Sequence, residues 1–126
     1  MKKIIFTDKA PAPIGPYSQA VAIGNMLYTS GQIALHPETG ELVTGDIETE
    51  TKQVMENMKA VLDAAGTTFE NVIKSTIFIS NMDDFGKING VYGAYFNEKT
   101  APARETVQVA KLPKNVNVEI SMIVAL

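Results

Sequence analysis

Arg104 and Glu119 are the residue types that water-assisted chemistry on a small anion requires. A guanidinium is a planar fork that can grip a carboxylate with two parallel hydrogen bonds, and a carboxyl group can hold or deprotonate a water. Arg104 sits in Ala101-Pro102-Ala103-Arg104-Glu105-Thr106-Val107-Gln108-Val109-Ala110. Pro102 biases its predecessor toward extended backbone, and the residues after it alternate as in a strand. Val107 and Val109 fall on one face, and Arg104, Thr106 and Gln108 on the other. Glu119 belongs to a second alternating run, Asn117 to Ala125, in which Val118, Ile120, Met122 and Val124 share the apolar face and Glu119 and Ser121 oppose it. Pairing the two runs as an antiparallel hairpin through Lys111-Leu112-Pro113-Lys114-Asn115 predicts Arg104 and Glu119 together on one sheet face. The competing reading is an ordinary solvated ion pair, a far commoner arrangement than a site.

Three more polar residues stand where a ligand could reach them. Asn89 falls within the helical stripe of Phe85, Ile88, Tyr92 and Phe96, where an amide needs hydrogen-bond partners: a neighbouring loop, or a ligand. Tyr17 and Ser30 each end a predicted strand, beside Pro16 and Gly31. Ordinary strand-end packing is their alternative. The single histidine, His36, reads as a surface turn residue, and no Gly-x-Ser-x-Gly elbow accompanies it. With one His and no Cys, only carboxylates remain as metal ligands, and the run Asp46, Glu48, Glu50 reads as helix capping. The isolated turn glycines Gly24, Gly31 and Gly40 give no support for a nucleotide cofactor.

The elements that must position these groups follow from periodicity. Ile4–Thr7 is a short first strand, and Ala10–Pro16 a proline-fixed loop. Tyr17–Ile23 and Met26–Ser30 form a pair about the Gly24-Asn25 turn. Asp46 caps a helix whose apolar stripe is Ile47, Thr51, Val54, Met58, Val61, Leu62 and Ala65, and Gly66 stops it. Thr67 and Glu70 have the spacing of a capping box. Val72–Ile79 is a β-branched strand. A second helix follows the caps of Asn81–Asp84, with Phe85, Ile88, Tyr92, Tyr95 and Phe96 as its stripe. The order ββ, α, β, α, ββ, with the short first strand, predicts an α+β fold of about six strands with two helices on one face. The uncovered face would carry Arg104, Thr106, Glu119, Ser121 and Ile123. Such a mixed polar and apolar face predicts a cyclic oligomer with polar pockets at its seams.

Composition narrows the class further. A chain of 126 residues with 45% hydrophobic and 20% charged residues fits one domain spanning 1–126. The net charge of −3, with no run of more than two basic residues, argues against nucleic acid as the main partner. Ile4-Ile5-Phe6 is too short for a signal peptide, and the apolar tail from Ile120 too short to span a bilayer. A soluble cytoplasmic protein without a membrane partner is the expectation.

Gly15-Pro16-Tyr17-Ser18-Gln19-Ala20, Tyr28-Thr29-Ser30-Gly31-Gln32-Ile33, Pro102-Ala103-Arg104 and Val107-Gln108-Val109-Ala110-Lys111-Leu112-Pro113 resemble, in order, the motifs of the RidA (YjgF) family. The resemblance runs over essentially the whole chain. It implies a chorismate-mutase-like α+β fold assembled as a homotrimer, with ligand clefts between subunits. It also implies a cofactor-free deaminase that hydrolyses reactive 2-imino or enamine acids, such as 2-iminobutanoate and 2-iminopropanoate, to 2-oxo acids and ammonia. Those species are released by pyridoxal-phosphate-dependent dehydratases. By resemblance Arg104 holds the substrate carboxylate and Glu119 positions or activates water, while Tyr17, Ser30, the Gly31 backbone and Asn89 complete the cleft. Thr106 departs from the pattern: Glu105-Thr106 stands where many members have Ser-Cys, which is tolerable if the position serves the substrate through its backbone and changes activity or specificity if the thiol matters. The loop between Asn89 and Arg104 is also shorter than in some members, which bears on substrate range. The rival readings are a non-catalytic 2-oxo acid sensor and the ribonuclease or translation-inhibitor activity attached to some relatives.

Overall fold

Alternating apolar residues build a single mixed sheet of six strands, which lie side by side in the order Lys3–Ile5, Ala20–Ile23, Met26–Thr29, Val118–Ala125, Val72–Ile79, Ala103–Gln108. The computed structural model describes residues 1–126. The strands are β1 (Lys3–Ile5), β2 (Ala20–Ile23), β3 (Met26–Thr29), β4 (Val72–Ile79), β5 (Ala103–Gln108) and β6 (Val118–Ala125), and the helices are α1 (Ile47–Ala65) and α2 (Phe85–Gly93). The expected α+β fold with two helices on one face is present. α1 begins where the Asp46 carboxylate accepts from Thr49 N at 2.8 Å, and ends at Gly66, whose φ of +78° suits glycine. Its Val54, Met55, Met58, Val61 and Leu62 pack with Ile88 and Tyr92 of α2 on one side of the sheet, against Leu27, Ile77, Ile120 and Met122. No helix is long and apolar enough to cross a membrane.

Several boundaries differ from the sequence pattern. β2 starts at Ala20 rather than Tyr17, because Pro16 and the turn at Gly15 keep the preceding residues out of the ladder. α2 stops at Gly93, so Tyr95 and Phe96 lie beyond it, although both rings still pack edge-on to Phe69. Thr67 makes no capping box with Glu70; its hydroxyl donates to Ala125 O at 2.9 Å, tying the exit of α1 to the end of β6.

The largest departure concerns the last two strands. β5 and β6 do not form a hairpin. β6 inserts antiparallel between β3 and β4, and β5 runs parallel to β4 at the sheet edge. Side-chain composition explains the choice. The inner face of β6 (Val118, Ile120, Met122, Val124) is almost wholly buried and therefore belongs at the centre. β5 reads Ala-Arg-Glu-Thr-Val-Gln, and a charged strand suits an exposed edge.

The face without helices combines three rows read from the strand register. One contains Val21, Tyr28, Ile123 and Lys74; the next Ser121, Thr76 and Glu105; the third Glu119, Phe78 and Val107. Apolar side chains stand open on it: Ile4 is 51% exposed, Ile23 51%, Tyr28 46% and Val107 44%.

Candidate active site

Glu119 lines a cleft of about 560 Å³ together with Tyr17, Ser30, Gly31 and Gln32. Mutual backbone hydrogen bonds between Gln32 and Ile120, at 2.8 and 3.1 Å, clamp the segment after β3 alongside β6. That clamp brings Gly31 directly beside the Glu119 side chain. A Cβ added at Gly31 would lie 2.7 Å from Glu119 Cδ and 3.0 Å from Oε1, so only glycine leaves the carboxyl group its place. Burial alone pushes the Glu119 pKa above its ordinary value; neither cation nor donor opposes it.

The proline-rich strap between β1 and β2 forms one wall through Pro11, Ala12 and Ile14, and Ile33, Leu35 and Pro113 add further apolar surface. Tyr17 Oη accepts from Ile14 N at 3.2 Å, which leaves the phenolic proton available to a ligand. Ser30 is committed differently. Its hydroxyl donates to Ser18 O at 2.6 Å, so toward the cleft it can act only as an acceptor. Lys114 reaches the same cleft from a left-handed backbone conformation, φ 54°, shared with Asn115 at φ 58°.

Arg104 is elsewhere. In the β4–β5 register it pairs with Ser75, which faces the helices, so its side chain leaves the sheet on the helix side. Glu119 leaves on the other side, in register with Phe78 and Val107. The expected convergence of Arg104 and Glu119 on one face of one chain is therefore corrected. The alternation within β5 holds, but parallel pairing with β4 assigns the Arg104, Thr106 and Gln108 side to the helix layer, and Val107 to the open face. Arg104 lies instead in a second recess of about 520 Å³ with Asn89, Tyr92, Phe96 and Glu98. Its Nη1 donates to Asn89 Oδ1 at 2.6 Å, so Asn89 meets the arginine and not Tyr17, Ser30 or Glu119. Thr106, on the same side, buries a hydroxyl oxygen that finds no partner. His36 lies in a separate surface recess with Asp8 and Lys9. No group of three or more His, Cys, Asp or Glu side chains is placed to hold a metal ion.

Two buried polar residues, Gln19 in the cleft wall and Glu50 outside it, escaped the sequence pattern. Gln19, 2% exposed, accepts from Thr7 N at 2.8 Å and donates to Thr7 O and Pro11 O at 2.9 Å, stapling the strap. Its signal was the strap itself, where prolines supply carbonyls without matching N–H donors. Glu50, read as a helix-dipole residue, is buried and accepts from Asn117 N and Nδ2, both at 2.8 Å, fixing the entry to β6. Its position between Ile47 and Val54 on the apolar stripe of α1 was the available clue.

The fold and the cleft define a small α+β domain whose desolvated carboxyl group and arginine are presented on opposite faces of a partly uncovered sheet. The family model described as Endoribonuclease L-PSP matches residues 7–126. A RutC family protein of Pyrococcus horikoshii is 54% identical over 123 residues, covering 98% of this chain and 97% of its own. A 2-iminobutanoate/2-iminopropanoate deaminase of Dermatophagoides farinae is 52% identical over 125 residues, covering 99% and 97%. The crystal structure of Escherichia coli TdcF with bound serine superposes with a TM-score of 0.92 at 46% identity, covering 98% of each chain. The chain belongs to the RidA (YjgF) family.

Proposed function

We propose that this protein hydrolyses reactive 2-imino acids, such as 2-iminobutanoate and 2-iminopropanoate, to 2-oxo acids and ammonia, in clefts between the subunits of a homotrimer. The observation that carries the reading is the division of the site: a desolvated Glu119 in an open cleft, and an arginine without a carboxylate partner on the edge strand of the opposite face. One chain presents both halves and joins neither. A second copy laid against the uncovered face can bring its β5 edge, and so Arg104, to the Glu119 cleft. The exposed Ile4, Ile23, Tyr28 and Val107 give that face a reason to be covered. The threefold number is the one the family resemblance implies. The deaminase named among the relatives, and the amino acid bound by TdcF, support a ligand with an α-carboxylate.

The chemistry needs little else. Arg104 grips the carboxylate, which sets the imine carbon opposite a water held by Glu119. Water oxygen bonds to that carbon while the C=N π pair moves to nitrogen, and the water proton passes to Glu119. Glu119 returns that proton to nitrogen, giving a carbinolamine, and then carries the hydroxyl proton to nitrogen, so that the C–N bonding pair leaves with ammonia as the carbonyl forms. Desolvation raises the proton affinity of Glu119 toward the working pH, as an acid–base group requires. The Tyr17 hydroxyl is free to donate to the substrate. Pyridoxal-phosphate-dependent dehydratases release imines of this kind and are the expected suppliers. RNA cleavage, the reading carried by the family description, has less geometric support, because the only histidine stands apart from the Glu119 cleft.

Complementation tests the divided site. Arg104→Ala and Glu119→Gln should each clear imine poorly in a dehydratase-coupled assay of 2-oxo acid release. Co-expressed in equal amounts, they should recover about a quarter of wild-type activity, because random pairing leaves that share of clefts with both groups intact. Mixed assemblies without recovered activity would place the site within one chain and refute the proposal.

A further inference from the structure

An arginine on an exposed edge strand ordinarily samples many rotamers, and a ligand that binds it must restrict them. Arg104 is held before any ligand arrives. Its guanidinium carbon lies 5.2 Å from the ring centroid of Tyr92 and 5.6 Å from that of Phe85, and Nη1 donates to Asn89 Oδ1 at 2.6 Å. Residues 85, 89 and 92 fall on one face of α2, by spacings of four and three. Tyr92 is itself braced. Its hydroxyl donates at 2.9 Å to Ser75 Oγ, on the strand residue in register with Arg104, and its ring lies 4.7 Å from that of Phe96.

The kind of partner matters as much as the restraint. A carboxylate beside Arg104 would compete with a carboxylate ligand for the same fork. The chain's two ion pairs, Lys59–Asp63 and Lys74–Glu105, both leave Arg104 out, and Glu98, which lines the same recess, makes no ion pair with it. Glu105, its sequence neighbour, points to the other face, where it bonds Thr76 and Lys74. Aromatic faces attract a cation through the ring quadrupole and bring no competing negative charge.

We propose that Phe85 and Tyr92 are positioning residues that hold Arg104 ready to capture the substrate carboxylate. The proposal rests on reading Arg104 as the carboxylate-binding group. It gives α2 a role in ligand affinity although none of its residues lines the Glu119 cleft.

Calorimetric titration with 2-oxobutanoate, a stable compound with the same carboxylate, tests it. Phe85→Leu and Tyr92→Leu should each weaken binding by roughly two- to fivefold, the size of one exposed cation–π contact. Phe85→Tyr and Tyr92→Phe keep a ring and should bind like wild type, although Tyr92→Phe loses the Ser75 bond. In the coupled assay the leucine variants should raise the apparent KM at unchanged kcat, because the carboxylate is gripped equally in ground and transition states. Phe85 is only half-buried, so its variants remain informative if Tyr92→Leu fails to fold. Unchanged affinity in Phe85→Leu, or equal weakening in the leucine and ring-keeping variants, would overturn the assignment. Arg104→Ala separates the two claims. If it binds 2-oxobutanoate like wild type, the carboxylate role of Arg104 fails; if it abolishes binding while the leucine variants do not weaken it, only the aromatic role fails.

Discussion

Gly31→Ala should disable the cleft with little effect on the fold. The new Cβ would lie 2.7 Å from Glu119 Cδ and 2.8 Å from Cγ. Carbon atoms pack at roughly 3.5–4.0 Å, so the overlap is about 1 Å. The backbone at Gly31 cannot readily yield, because Gln32 and Ile120 exchange two hydrogen bonds beside it. Glu119 must therefore swing away, at about 1 kcal/mol for an off-rotamer side chain, part of which better solvation returns. Displacing a water-holding group by about 1 Å costs on the order of a hundredfold in rate, or about 2.7 kcal/mol. The dehydratase-coupled assay reads the rate, and thermal unfolding reads the fold. Introduced into Glu119→Ala, the same substitution should have almost no further effect, since nothing remains to be displaced. Turnover by Gly31→Ala within about threefold of wild type, or losses that multiply in the double variant, would show that the glycine does not act through Glu119.

Three further outcomes follow from the cleft. Burial raises the Glu119 pKa above 4.5, so the folded protein binds that proton more tightly than the unfolded chain does. This stabilisation is complete below 4.5 and fades as pH rises through the shifted value, a slope that melts of Glu119→Gln should lack. The acid limb of turnover should lie above 4.5 for the same reason, and a limb at or below it would contradict a desolvated Glu119 in the working cleft. Gln19→Leu removes the bonds that staple the strap to β2 and leaves Thr7 and Pro11 groups unpaired, at a cost of about 1–3 kcal/mol. Melting should fall by several degrees and proteolysis between Thr7 and Gly15 should quicken; an unchanged melt would remove Gln19 from that role.

Much of the fold was legible because its signals are local. Asp46 and Gly66 bracket α1 as a carboxylate cap and a left-handed stop must. The alternation from Val118 to Val124 identifies a strand with one buried face. What the pattern does not carry is which strand neighbours which. The short connection after β5 made a hairpin the economical expectation, yet the fully buried inner face of β6 could be satisfied only in mid-sheet. The charge on β5 was the overlooked cue, since Arg104 and Glu105 on successive residues cannot both face a core.

The same difference decides how the site is read. In a strand the face of a side chain depends on register, and pairing β5 with β4 instead of β6 transfers Arg104 to the other side of the sheet. Two groups that a sequence pattern places on one surface are then separated by the thickness of the sheet. Neither is in an ion pair within the chain: Glu119 is desolvated although Lys114 lines its cleft, and Arg104 is gripped by aromatic rings and an amide although Glu98 lines its recess. An isolated folded domain rarely leaves opposite charges uncompensated on two faces while it also exposes Ile4, Ile23, Tyr28 and Val107. Those features become mutually consistent if copies of the chain meet across the open face, so that the surface burying the apolar residues also completes the cleft. The unit that selection acts on would then be the interface, and substitutions at Tyr28 or Val107, remote from Glu119 in sequence, would change activity through assembly.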